Sequence, residues 1–167
     1  TVVYLILFLL LTEERGLVFS KESREKRTAQ CRIYDRFYSI SSIRRRAEAP
    51  AFGEERHTDL WRALVIAFEL FDERGTGAPL GIAPLAGELF GSDAIAPLAR
   101  CEMTNEAVRR ALRRLSWFRD SETGAMIRVN YGALNVEEFG SVYEGLLEYD
   151  GKVEIAGGVY RFEFVEG

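Results

Sequence analysis

The chain is short of the residues from which most enzyme and metal sites are built. Its 167 residues include two cysteines, one histidine and four prolines. Cys31 and Cys101 lie far apart with no CxxC spacing, which argues against a disulfide framework and a structural zinc site. His57 has no cysteine or second histidine nearby to complete a metal site. It stands before Thr58 and Asp59, where a helix is expected to begin, so a helix-start or solvent role fits it. Pro50, Pro79, Pro84 and Pro97 each follow alanine, and no two are adjacent. Gly75, Gly77, Gly81, Gly87 and Gly91 crowd one segment, but they follow no expected strand and make neither GxGxxG nor GxxxxGK(S/T), so no nucleotide loop is read there. There is no PD…(D/E)xK pattern, no credible pair of catalytic carboxylates, and no serine or cysteine nucleophile matched to a histidine. A membrane-spanning stretch is missing too. The apolar run at residues 2–11, VVYLILFLLL, stops at Thr12, Glu13, Glu14 and Arg15, whereas a spanning helix needs about 20 such residues. It also lacks the basic lead-in and small trailing residues of a signal peptide. No catalytic, cofactor-binding or metal-ligating residue is assigned, and a cytoplasmic location is expected.

What is present is a globular composition, 47% hydrophobic and 29% charged, in a chain long enough for one core with a small appendage. The formal net charge of -4 hides an asymmetry. Residues 21–48 carry nine Lys and Arg against four acids, and residues 133–167 carry eight acids against Lys152 and Arg161. A basic front and an acidic tail suggest two surfaces with different partners.

The stretch 131–150, YGALNVEEFGSVYEGLLEYD, holds the clearest helix signal. Asn135 is a good N-cap, Glu138 completes a capping box, and Phe139, Val142, Tyr143, Leu146 and Leu147 share one face. Gly140 and Gly145 each cost roughly 1 kcal/mol inside a helix, so the pattern predicts a neighbouring backbone pressed close.

A first helix is expected from residue 2 to about 15, ended by Gly16. It is hydrophobic all round, as a buried helix is, and it starts with no polar lead-in or cap, which suggests a chain cut inside a helix. Residues 20–28 read as a solvated loop or frayed helix end. A long helix follows over 29–47, with Ile33, Phe37, Ile40, Tyr34 and Tyr38 on its apolar side. Residues 49–55 read as a linker. Thr58 then caps a helix to about 71, with Leu60, Ala63, Leu64, Ala67, Phe68 and Phe71 inward and Trp61 on the flank. Residues 72–97 read as ordered loop. Thr104 or Asn105 caps a helix to about 118, with Val108, Ala111, Leu112, Leu115 and Phe118 inward. A turn at 120–125 and a short strand at 126–130 precede the capped helix. Strands at 152–155 and 159–165, joined through Ala156, Gly157 and Gly158, make a hairpin. The predicted fold class is mainly α: a helical bundle-like domain over residues 1–150, with a loop-rich insertion at 73–103, and a C-terminal β-hairpin at 151–167.

Two arginine clusters are candidates for DNA-phosphate contact: Arg44, Arg45 and Arg46, and Arg109, Arg110, Arg113 and Arg114. Each admits a plain reading as solvated helix surface and a functional one as sequence-independent, salt-sensitive phosphate contact.

Several stretches, in order, resemble segments upstream of the cofactor-binding domain in large S-adenosylmethionine-dependent DNA adenine-N6 methyltransferases. These belong to single-chain restriction-modification enzymes and related phage-defence systems. NVEEFGSVYEGLLE is similar to the family's gvEELGSVYEsLLE, LILFLLLTEERGLVF to LLFLLvAEdRGLL, IYDRFYSISSIRRRAE to Y…YSLsrLR, DLWRALVIAFELF to DLWrsLr.lF..l, and LGIAPLAGELF to lgiPplgGgLFd. The family's Asn/Asp-Pro-Pro-Tyr/Phe loop, which holds a flipped adenine, has no counterpart here. Nor has the TGsYYTP segment that opens its cofactor domain. The resemblance therefore implies a non-catalytic helical connector that positions a methyltransferase core on DNA. It implies S-adenosylmethionine for the full-length protein and no cofactor in this chain, with DNA and the missing methyltransferase core as partners and no membrane. The alternative is a free-standing helical protein-interaction module. Burial of residues 2–11 within this chain favours that alternative, and an exposed patch there favours a missing remainder.

Overall fold

In a computed structural model, residues 2–26, 28–50, 56–85, 87–157 and 159–166 are described. The first helix, α1 (Val2–Glu14), is enclosed on most of its circumference, with Leu5, Ile6, Leu7, Leu9 and Leu10 all buried. Gly16 ends it in left-handed backbone at φ +64°, as its sequence position predicts. A short surface helix, α2 (Lys21–Glu25), follows, capped by the Ser20 hydroxyl.

The long helix expected over 29–47 is broken. It consists of α3 (Ala29–Ile33), a π-helical turn (Tyr34–Tyr38), an extended Ser39, and α4 (Ile40–Glu48). The cause lies in side chains that satisfy the N–H groups of a new helix start. The Ser39 hydroxyl accepts the Ser42 N–H at 3.1 Å, and Glu13 of α1 accepts the Ile40 and Ser41 N–H groups at 2.7 and 2.8 Å. Restarting the helix changes its face. Tyr34, Ile40, Ile43 and Ala47 are buried, while Ile33 and Phe37, expected on the same side, are 42% and 56% exposed.

The expected linker falls mostly outside the described residues. Beyond it, α5 (Asp59–Glu69) begins without a side-chain bond from Thr58. Its cap comes instead from Asn105, the first residue of α7 (Asn105–Ser116), whose Oδ1 accepts the Leu60 N–H at 3.0 Å. The Asn105 amide also donates to Asp59 at 2.7 Å. That bond, with Arg46 adding to it, holds the Asp59 carboxyl below its ordinary range. Leu60, Leu64, Ala67, Phe68 and Phe71 are buried as expected. Trp61, expected on the flank, is also buried, because its Nε1 donates to the Cys101 carbonyl at 2.7 Å.

The loop-rich segment contains a helix that the glycine and proline content hid, α6 (Ser92–Ala99). It persists with Pro97 inside it because buried Ile95 seats it against α5. Before it, a 3-10 turn at Glu88–Phe90 delivers Phe90 to the core. Aromatic rings then run in sequence through the interior: Phe8 to Phe90 at 5.6 Å, Phe90 to Phe71 at 5.8 Å, Phe71 to Tyr34 at 6.1 Å, and Tyr34 to Phe19 at 5.5 Å. Such tilted and edge-on pairs add specific geometry to plain burial.

Thr104 caps α7, whose inward residues are Asn105, Val108, Leu112 and Ser116. Ala111 and Phe118, expected inward, are exposed. The helix ends at Ser116, and the chain turns into a short antiparallel pair, β1 (Trp117–Arg119) with β2 (Met126–Arg128), closed by the predicted turn. The Tyr131 hydroxyl donates to the Leu115 carbonyl at 2.5 Å and the Val129 N–H to the Ser116 carbonyl at 2.9 Å, so these two carbonyls at the end of α7 are satisfied.

Contacts divide the chain into two units, Thr1–Gly132 and Ala133–Gly167. The helix of the 131–150 stretch thus groups with the hairpin, where the sequence placed it with the other helices. This helix, α8 (Val136–Leu147), has the predicted capping box, with Asn135 Oδ1 to the Glu138 N–H and Glu138 Oε2 to the Asn135 N–H both at 2.8 Å. None of its side chains is buried. Among the described residues the close neighbour predicted at Gly140 and Gly145 is not found: a Cβ at either would meet nothing within 4 Å. The hairpin pairs β3 (Tyr149–Ala156) with β4 (Val159–Glu166), with Val153 opposite Phe162 and Ile155 opposite Tyr160. Its turn includes Gly157 at φ +60°, and Gly158 lies outside the described residues. Gly151 has a packing reason, since a Cβ there would come within 3.0 Å of the Phe162 ring. Mainly α, with a C-terminal β-hairpin, describes the whole.

Candidate nucleic-acid interface

The arginines nominated by the sequence all lie in the first unit, and the fold sends them to different work. In α4 the three neighbours diverge. Arg44 turns inward, 6% exposed, with a terminal nitrogen 3.0 Å from Glu14 Oε1. It therefore cannot serve as the phosphate contact expected of it. Arg46 lies half-exposed, 3.0 Å from Asp59 Oδ2. Arg45 is exposed and opens onto a groove shared with Arg32, Arg36, Ile33 and Phe37.

On α7, Arg109 is taken up structurally. One of its terminal nitrogens donates to the carbonyls of Arg46, Ala47 and Ala49 at 3.0, 3.3 and 2.8 Å, satisfying the carbonyl end of α4. Replacing Arg109 with alanine should lower stability by about 1–2 kcal/mol through these lost bonds. Urea unfolding followed by tryptophan fluorescence measures this, and an unchanged midpoint would show that the capping contributes nothing. Arg110, Arg113 and Arg114 are exposed. Arg113 and Arg114 line a shallow groove with Glu48, Trp117 and Met126. Arg128 adjoins it, 5.7 Å over the Trp117 ring and 3.4 Å from Glu48 Oε2.

Two acidic residues that sequence reasoning did not assign to a site hold the unit together. The Glu13 carboxylate accepts from the Tyr34 hydroxyl at 2.7 Å as well as from Ile40 and Ser41. As a residue Glu13 keeps some exposure, yet its carboxyl end is enclosed by these donors, and that burial lifts its pKa above the ordinary carboxylate range although the donors pull it down. Burial and the facing carboxylate push the Tyr34 hydroxyl up as well, so it stays a donor. Glu14 bridges Arg44 and the Gly132 N–H, the latter at 2.9 Å. A Cβ on Gly132 would lie 3.3 Å from the Glu14 Cβ, so glycine lets the two segments approach. The only signal in the sequence was an acidic pair ending an otherwise apolar helix.

Asp72 is fully buried. Burial alone would raise its pKa, but hydrogen bonds from Arg74 and Thr76 outweigh this and hold it low. Among the described residues, no group of three or more His, Cys, Asp or Glu is placed to hold a metal ion. No described helix is long and apolar enough to cross a membrane. Comparison of the chain with protein-family models, with curated proteins and with solved structures gave no match.

Proposed function

We propose that this chain is a non-catalytic helical connector of an S-adenosylmethionine-dependent DNA adenine-N6 methyltransferase of a restriction-modification or phage-defence system, positioning the methyltransferase core on DNA. The observation that supports it most is the second unit. Its helix buries no side chain, Val136 and Leu147 are 79% and 63% exposed, and Val153, Ile155 and Tyr160 of the hairpin are 59%, 67% and 74% exposed. Apolar surface of this extent calls for a protein cover, and its helix carries one of the segments that resemble the family. The methyltransferase core is the proposed cover, S-adenosylmethionine belongs to that core, and Arg45, Arg110, Arg113 and Arg114 remain the phosphate candidates free of structural work.

One observation favours the second reading, a free-standing interaction module. Residues 5–7, 9 and 10 of α1 are buried by the chain's own residues, so the first unit has a core of its own. The coding DNA decides between the two. A TGxYYTP-like segment after Gly167, followed by FxGxG-like and Asn-Pro-Pro-Tyr-like loops, is the expected result. A stop codon directly after Gly167, with a start codon just before Thr1, would overturn the connector reading and leave the module.

A further inference from the structure

Beside the interrupted helix lies a groove of about 620 Å³ lined by Ala29, Arg32, Ile33, Asp35, Arg36, Phe37 and Arg45. It brings together exposed apolar side chains and cations with no described ion-pair partner. Phe37 is 56% exposed and Ile33 42% exposed, at the π-helical turn. Arg32, Arg36 and Arg45 are all exposed, and no described carboxylate lies within ion-pair distance of any of them. Asp35 is the one acid on the groove wall among the described residues.

The presentation is fixed from beneath. The Ser39 N–H donates to the Tyr34 carbonyl at 2.9 Å, the Ser42 hydroxyl to the Arg36 carbonyl at 2.8 Å, and Tyr34 is itself anchored on Glu13. The Arg36 guanidinium stands 5.1 Å from the Phe37 ring centroid, within cation–π range. The π-helical turn ends at the extended Ser39, and Phe37 on it stays out of the core.

We propose that this groove binds single-stranded nucleic acid, with an unpaired base stacked on Phe37 and phosphates on Arg32, Arg36 and Arg45. The cations favour an anionic partner, and the exposed ring offers a stacking face to a flat one. A base within a duplex is already stacked on both faces, whereas an unpaired strand presents phosphates and a free base face together. Recognition of this kind is sequence-tolerant and salt-sensitive. The assignment is independent of the methyltransferase reading, which stands or falls on the coding DNA.

The test is fluorescence anisotropy of the purified 167-residue chain with a labelled dT12 strand, the matched duplex, and polyglutamate of equal charge as competitor. Phe37→Ala is expected to weaken dT12 binding about 10-fold, inside the roughly 5- to 150-fold range for loss of one stacked base. Phe37→Leu, which keeps apolar volume without a ring, weakens it similarly. Phe37→Trp retains binding, with its indole emission quenched by the strand. The triple substitution Arg32→Ala, Arg36→Ala and Arg45→Ala lowers the slope of log affinity against log salt by about 2. Thermal melts of the leucine and tryptophan variants separate loss of binding from loss of fold. Unchanged affinity in Phe37→Leu, duplex bound as tightly as dT12, or displacement by polyglutamate as effective as by unlabelled dT12 would each overturn the proposal.

Discussion

Replacing Glu13 with alanine will destabilise the first unit by about 4 kcal/mol, because two N–H groups at a helix start and a tyrosine hydroxyl lose their acceptor together. The Tyr34 hydroxyl and the Ile40 and Ser41 N–H groups all converge on that carboxylate. Each buried donor left unsatisfied costs about 1–3 kcal/mol, and the values for neighbours sharing one acceptor do not simply add. A loss of this size is a large share of the roughly 5–15 kcal/mol that holds a typical domain together. Both tryptophans, Trp61 and Trp117, lie in the first unit, so their fluorescence in urea reports its unfolding. The same carboxyl also titrates with a defined sign. Burial raises its pKa in the folded chain above the value it has when unfolded. Over that interval the folded chain holds more protons, so this group's contribution is fully present below the unfolded pKa and is lost as pH rises through the folded one. Glu13→Gln keeps one acceptor and abolishes the titration. Its stability will therefore be less pH-dependent than wild type just above the ordinary carboxylate range. Parallel pH profiles for the two proteins would refute the assignment.

The elements that the sequence announces best are those whose cause is local. The capping box of α8 is four residues long and self-contained, and it forms as read. The apolar period of α5 and the end of α1 at Gly16 are local too. Several of the errors have a different origin, a partner distant in the chain. Nothing between residues 29 and 47 says that Glu13 will cap a helix restarting at Ile40, and without that knowledge Phe37 reads as core. Thr58 looks like the cap of α5 because Asn105, the cap it has, lies 45 residues beyond Leu60, whose N–H it accepts. Arg44, Arg45 and Arg46 look equivalent as a run of letters, yet successive helical residues turn by about 100° and meet different neighbours. One meets Glu14, one the groove and one Asp59. The apolar stripe of α8 was legible as a stripe, and that its side chains stay unburied was not. Its glycines likewise predicted a close backbone, and none lies there among the described residues.

Glu14 and Arg44 should respond unequally to substitution, although they form one ion pair. The Arg44 side chain is 7% exposed against 22% for Glu14, and its Nε and one terminal nitrogen have no hydrogen-bond partner among the described residues. The arginine is therefore the member whose desolvation is poorly compensated. Glu14→Ala strands that buried guanidinium and also releases the Gly132 N–H, so a loss of about 3–5 kcal/mol is expected. Arg44→Met fills a similar volume and removes the charge from the interior. The carboxylate left behind keeps the Gly132 N–H and access to water, so this variant should fall within about 1 kcal/mol of wild type, on either side. The double variant Arg44→Met with Glu14→Ala should regain most of what Glu14→Ala alone loses, because no buried charge remains unpaired. Urea midpoints for the four proteins give the coupling between the two sites. Equal losses in the two single variants would mean that the pair stabilises by mutual attraction. The expected inequality would mean that Arg44 is tolerated in the core only because Glu14 neutralises it.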